Sequence, residues 1–243
     1  MHAQTAPAAN SLRGSAAPDD AVVIANRFES FIKEADFPCV GAKSALAKRQ
    51  MTAYVGRDIE SAWDDVNIAR ELIDFAHDYA ATGTLFRTFV CIFPESRALT
   101  EIEFEEALWA RIASLRAKDE WMGQPYDEGV EPDPSSPKFS LSFGGQAFFA
   151  VGLHPGASRP ARRFDHPAVV FNLHDQFERL RADGRYEPMR ARIIERDVAL
   201  AGTENPMLSR FGEVSEARQY SGRLVGPDWE CPYPGPEGDD DAA

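Results

Sequence analysis

The chain has 243 residues, with 26 Lys and Arg against 39 Asp and Glu, a formal net charge of -13. That balance excludes a general nucleic-acid binder, which needs a basic face to displace counterions, and it argues against docking on an anionic membrane. With 44% apolar residues the chain is long enough to bury a substantial core.

Three cysteines, Cys39, Cys91 and Cys231, lie far apart without a CxxC pair. Neither a disulfide framework nor a structural zinc site is indicated, and the cytoplasm is the expected compartment. No apolar run reaches the length of a membrane span. Residues 1–18 are rich in Ala, Pro and Ser, lack the apolar centre of a signal peptide, and are expected to be disordered. Residues 19–232 read as a single catalytic domain, followed by a disordered acidic tail over 233–243 that includes Asp239, Asp240 and Asp241.

Asp19 and Asp20 can cap a first helix over 20–35, whose apolar stripe is Val23, Ile24, Phe28, Phe31 and Ile32. Phe37-Pro38 stops it. Residues 39–50 suit a loop with a short helix, and Met51 to Val55 a short strand. A helix is predicted over 59–81, with Val66, Ala69, Leu72, Ile73 and Ala76 inward, its acids solvated and Gly83 as stop. Leu85 to Phe93 reads as a buried strand. Thr100 and Glu103 have capping-box spacing and open a helix to about Lys118. The Pro, Gly and acid-rich stretch 123–137 reads as a long loop inside one domain.

The centre of the chain is 137–174. Two apolar runs, Phe139 to Phe143 and Ala147 to Leu153, flank Gly144-Gly145, a tight hairpin turn. The second ends in His154-Pro155, followed by Arg159, Arg162, Arg163 and His166. A further strand from Ala168 leads to Asn172 and His174. Two helices follow, 175–183 and 187–201, joined at Gly184. Residues 202–232 are irregular yet keep Met207, Leu208, Phe211, Tyr220 and Trp229, so they are expected to pack on the core and line a site. Strands and helices mix without strict βαβ alternation. The class is α+β: a small, mostly antiparallel sheet packed with amphipathic helices and a long irregular C-terminal segment.

His154 can be a neutral imidazole on a metal or haem iron, or a strand-end histidine bonded to a carbonyl. His174 carries the same two readings. Arg159, Arg162 and Arg163 offer bidentate donors to carboxylates or phosphates, and Arg210, Arg218 and Arg223 form a second series, interleaved with Glu213 and Glu216. Internal ion pairing is the alternative for both. Cys39 is a candidate nucleophile or thiolate ligand, or simply buried. No GxSxG, P-loop, HExxH or dinucleotide-binding GxGxxG motif occurs.

The stretches FPCVGAKSAL, FFAVGLHPGASRPARRFDHPAVVFNLHDQFERLR and NPMLSRFGEVSEARQYSGRLVGPDWECP resemble the YqcI/YcgG family over about residues 22–232. Several members of that family resemble haem-dependent, non-P450 N-oxygenases acting on amines and guanidines. The resemblance implies haem b with dioxygen as co-substrate, and His154 as axial ligand, with His174 second and Cys39 third. It also implies Arg159, Arg162 and Arg163 on haem propionates or a substrate carboxylate. Glu213, Glu216 and Arg218 would hold a small cationic amine or guanidine, arginine-like. Electrons would come from an external reductase or ferredoxin, and a homodimer is the candidate assembly.

Overall fold

The structure is a computed structural model, and it describes residues 11–14 and 18–233. Six strands form one mixed sheet: β1 (Ser11–Gly14), β2 (Met51–Val55), β3 (Thr88–Ile92), β4 (Leu141–Phe143), β5 (Gln146–Leu153) and β6 (Ala168–Leu173), in the order β1-β2-β3-β6-β5-β4. β1, β2 and β3 run parallel, and the other three pairings are antiparallel. The fold is α+β, and its sheet divides into a parallel and an antiparallel half. The helices described are α1 (Pro18–Lys33), α2 (Val40–Ala47), α3 (Asp65–Thr82), α4 (Glu101–Trp121), α5 (His174–Ala182), α6 (Tyr186–Ala201) and α7 (Ala217–Tyr220).

The sheet is covered on both faces, and strand alternation feeds two cores. From β3, β5 and β6, Phe89, Cys91, Phe148, Ala150, Val169 and Phe171 pack with α3 and α4. Their neighbours Val90, Ile92, Leu153 and Ala168 pack with Phe28 and Ile32 of α1 and Leu46 of α2. α6 lies on this second side, against α2 and the 3-10 turn Pro160–Arg162.

Local signals act as their chemistry requires. The Thr100 hydroxyl accepts from Glu103 N, while the Glu103 carboxylate accepts from Thr100 N. Gly83 closes α3 in the left-handed region. Gly144 (φ 56°) and Gly145 (φ 72°) form the two-residue β4–β5 turn, a geometry that only glycine adopts without strain at both positions.

Several boundaries shift. α1 starts at Pro18, so Asp19 and Asp20 lie in its first turn instead of capping it. Ser61 caps a separate 3-10 turn, Ala62–Asp64, ahead of α3. β3 begins at Thr88 because Phe86 takes a left-handed backbone (φ 68°) that no strand continues through. Within the segment expected to be disordered, residues 11–14 form an edge strand on β2. The remainder of 1–17, and the tail from 234, lie outside the described residues.

The irregular C-terminal segment packs as its large residues imply. Tyr220 stacks on Trp109 of α4 with centroids 5.6 Å apart. Arg223, Ser221 and the Trp229 indole all donate to the buried Glu105 carboxylate of α4. Among the described residues no helix is long and apolar enough to cross a membrane.

Candidate functional site

Between the sheet and the layer of α1, α2 and α6 lies a partly open cavity of about 220 Å³. Its floor is the outward set of β5 and β6: Phe149, Val151, Leu153, Val170 and Asn172. Its roof is Phe28 and Ile32 of α1, Ile193 of α6, and the Phe37-Pro38-Cys39 bend between α1 and α2. Arg196 of α6 donates to the carbonyls of Ala35 and Phe37 and so fixes that bend. Asn205, Met207, Gln219 and Gly222 of the C-terminal segment complete the wall. Arg159, Asn205, Met207 and Gly222 also border an open surface cleft of about 460 Å³. The three stretches on which the resemblance rests therefore meet at one cavity, although they are far apart in the chain.

Polar groups are few and have defined partners. Arg159 Nε donates to Asp197 Oδ2 at 2.9 Å, and its Nη2 to the Thr203 carbonyl at 2.8 Å. Arg162 Nη1 donates to the Gly152 and Tyr220 carbonyls, at 2.9 and 3.2 Å, and Nη2 to the Gln219 carbonyl at 3.1 Å. Burial brings the Arg162 guanidinium down to about 10, against the opposing pull of Asp197 and Cys39, so it stays charged at neutral pH. Cys39 is the N-cap of α2, its Sγ accepting from Ala42 N at 3.4 Å. Burial pushes its thiol up despite that contact and the nearby Arg162, so at neutral pH it is a neutral thiol. Thr88 Oγ1 donates to Asn172 Oδ1 at 3.1 Å.

Of the residues singled out in the sequence, Arg159, Arg162 and Cys39 reach the cavity. Arg163 does not: it donates to the Ala157 and Ser158 carbonyls and borders an open groove along α1. His154 lies on the opposite face of the sheet, 1% exposed, stacked on Phe104 of α4 with centroids 4.3 Å apart. His174 packs edge-on to Phe211, with Nε2 3.9 Å from Glu216 Oε1, too far for a hydrogen bond. Glu216 is buried and accepts from Ser140 and Tyr220, and burial pushes its carboxyl up to about 7. Glu213 is exposed and accepts from Arg210 N, while Arg218 donates to the Gly226 carbonyl beside Trp229. Glu213, Glu216 and Arg218 thus form no common site.

Sequence reasoning missed Asp197, Gln219 and Thr88. Asp197 had a signal: it stands four residues after Ile193, on the apolar stripe of its helix, where a carboxylate needs a partner. Asn172 follows Val170 by two and so shares its face. Gln219 had none, since its wall position depends on the fold of an irregular segment.

Haem needs an axial donor facing a slot that admits the macrocycle. The donor chemistry is present: burial keeps His154 and His174 neutral, and His154 Nδ1 and His174 Nε2 are buried without a partner. The described clefts do not reach it: neither histidine lines any of them, and the cavity beside Arg162 falls below the roughly 300 Å³ at which drug-sized ligand sites begin. As arranged, these residues do not fit a haem. Among the described residues no group of three or more His, Cys, Asp or Glu side chains could hold a metal ion.

No curated protein and no solved structure matches the chain. The YqcI/YcgG family matches over residues 28–234, nearly the whole described fold and all three converging stretches. On that match the chain belongs to the YqcI/YcgG family.

Proposed function

We propose that the chain is an enzyme that holds a small molecule in this cavity and oxygenates it at nitrogen, the reaction implied by its resemblance to haem-dependent N-oxygenases. The observation that supports the site is the meeting of Phe37-Pro38-Cys39, Arg159 and Arg162, and Asn205 to Met207 around one volume. A largely apolar concave lining lets a few polar groups orient a ligand. N-oxygenation of an amine or guanidine inserts one atom of dioxygen at nitrogen and reduces the other to water with two electrons and two protons. An external reductase or ferredoxin would supply the electrons, as the resemblance implies. The reaction is placed in the cytoplasm, and a homodimer is the assembly to look for by sedimentation. No step is written through haem, because the residues as arranged do not fit it.

The test is an absorption spectrum of protein produced with haem supply, before and after dithionite and carbon monoxide, together with oxygen uptake in the presence of arginine and simple amines. A Soret band together with substrate-dependent oxygen uptake that is lost in Val151→Phe, which fills the cavity, supports the reading. A colourless protein that takes up no haemin and consumes no oxygen overturns it.

One observation favours a second reading, ligand binding without turnover. Asp197 is committed to Arg159 and Cys39 is held as a thiol, so neither is a ready general base on the cavity wall. Saturable ligand binding without oxygen uptake under any reductant selects it.

A further inference from the structure

We infer that the cavity takes a small monocarboxylate with an apolar body, its carboxylate held by Arg162. The inference rests on the second reading, ligand binding in the cavity without turnover, and its success would exclude an amine or guanidine as the cavity's ligand.

The charge balance of the wall carries the argument. Two guanidiniums border the cavity, Arg159 and Arg162, against one carboxylate, Asp197. Arg159 and Asp197 neutralise each other. Arg162 donates only to neutral carbonyls, and among the described residues no carboxylate lies within ion-pair distance of it. Cys39 is the other acid nearby, and its buried thiol supplies no negative charge at neutral pH. The wall therefore holds one net positive charge, and Arg162 feels Asp197 only at a distance, with no carboxylate paired to it. A buried cation in this state is costly, and an anion entering the cavity relieves that cost.

The remaining walls set the body of the ligand. Phe28, Ile32, Phe149, Val151, Leu153 and Val170 offer no partner to a second charge. An ammonium or guanidinium tail would lose its hydration there and face a wall of net positive charge. At about 220 Å³ the cavity leaves room for a short aliphatic or monocyclic acid.

Hexanoate, 1-hexanol and hexylamine share this body and differ in charge, so calorimetric titration of the full chain with each separates the terms. Hexanoate is expected to bind saturably and 1-hexanol at least about tenfold more weakly, the usual difference for a hydrogen bond to a charged group. Hexylamine and L-arginine are expected to be weaker still. Arg162→Gln should erase the preference of hexanoate over hexanol. Because Arg162 also ties three carbonyls together, Val151→Phe serves as the second variant: it fills the cavity, leaves Arg162 in place, and should abolish binding of both. Tighter binding of hexylamine or arginine than of hexanoate overturns the charge assignment while leaving the cavity as the ligand site. Hexanoate binding unchanged in Val151→Phe, or absence of binding by all four compounds, overturns the cavity itself.

Discussion

Glu216 shows how burial, more than any partner, sets a residue's behaviour. Its carboxyl rises to about 7 by desolvation, which the Ser140 and Tyr220 hydroxyls only partly offset. A carboxyl raised in the folded state binds more protons folded than unfolded between about 4.5 and 7. Its contribution to stability is therefore complete at low pH and is lost as pH rises through 7, by at most about 3 kcal/mol. Glu216→Gln has no such loss, so its melting temperature relative to wild type should climb between pH 5 and pH 8. A constant difference across that range would show the carboxyl to titrate normally. Arg111 presents the opposite case. It is buried against Asp65, and Arg111→Met leaves that carboxylate uncompensated. A loss of about 3–5 kcal/mol in urea denaturation is expected. Arginine partners were the least legible residue-scale feature. Arg162 could be seen in the sequence, but its acceptors are carbonyls 10, 57 and 58 residues away, presented only by the folded backbone.

Elements were read well wherever a local rule fixes them. The capping box at Thr100 and Glu103 spans only four residues, and it formed. Thr100→Ala should cost about 1 kcal/mol, measurable as a shifted denaturation midpoint with unchanged slope. Gly144 combines a local and a distant demand. Its φ of 56° suits the turn, and a Cβ there would stand 2.9 Å from Ala76 Cβ and 3.2 Å from the Ile73 backbone. Gly123 has a similar φ of 76° with open space around it. Gly123→Ala is expected to cost about 1 kcal/mol and Gly144→Ala about 2 kcal/mol more, the difference measuring how closely the hairpin sits on α3. Equal losses would mean that α3 yields freely. Strand parity was also legible. Counting by twos from Phe148 puts Ala150, Gly152 and His154 on one face, and Phe149, Val151 and Leu153 on the other. Which face holds a cavity was not, because that depends on how α1, α2 and α6 close over it.

At the scale of the molecule, the division of the sheet was hidden from the sequence. The β2–β3 pairing needs a helical crossover, while β4–β5 needs two glycines, and only the second has a short signature. The irregular segment after α6 was correctly assigned to the surface of the core, since so many large side chains in a loop must be covered. Its docking has an optical consequence. Trp109 is 1% exposed and held between Tyr220 and Tyr233, with centroids 5.6 and 5.8 Å away, whereas Trp63 and Trp121 are each 76% exposed. In a chain carrying Trp63→Phe, Trp121→Phe and Trp229→Phe, emission should be blue-shifted, and release of the C-terminal segment should move it to the red before the helices melt. The same indole sits behind a segment that walls the cavity, so the intrinsic colour of its light reports whether that wall is closed.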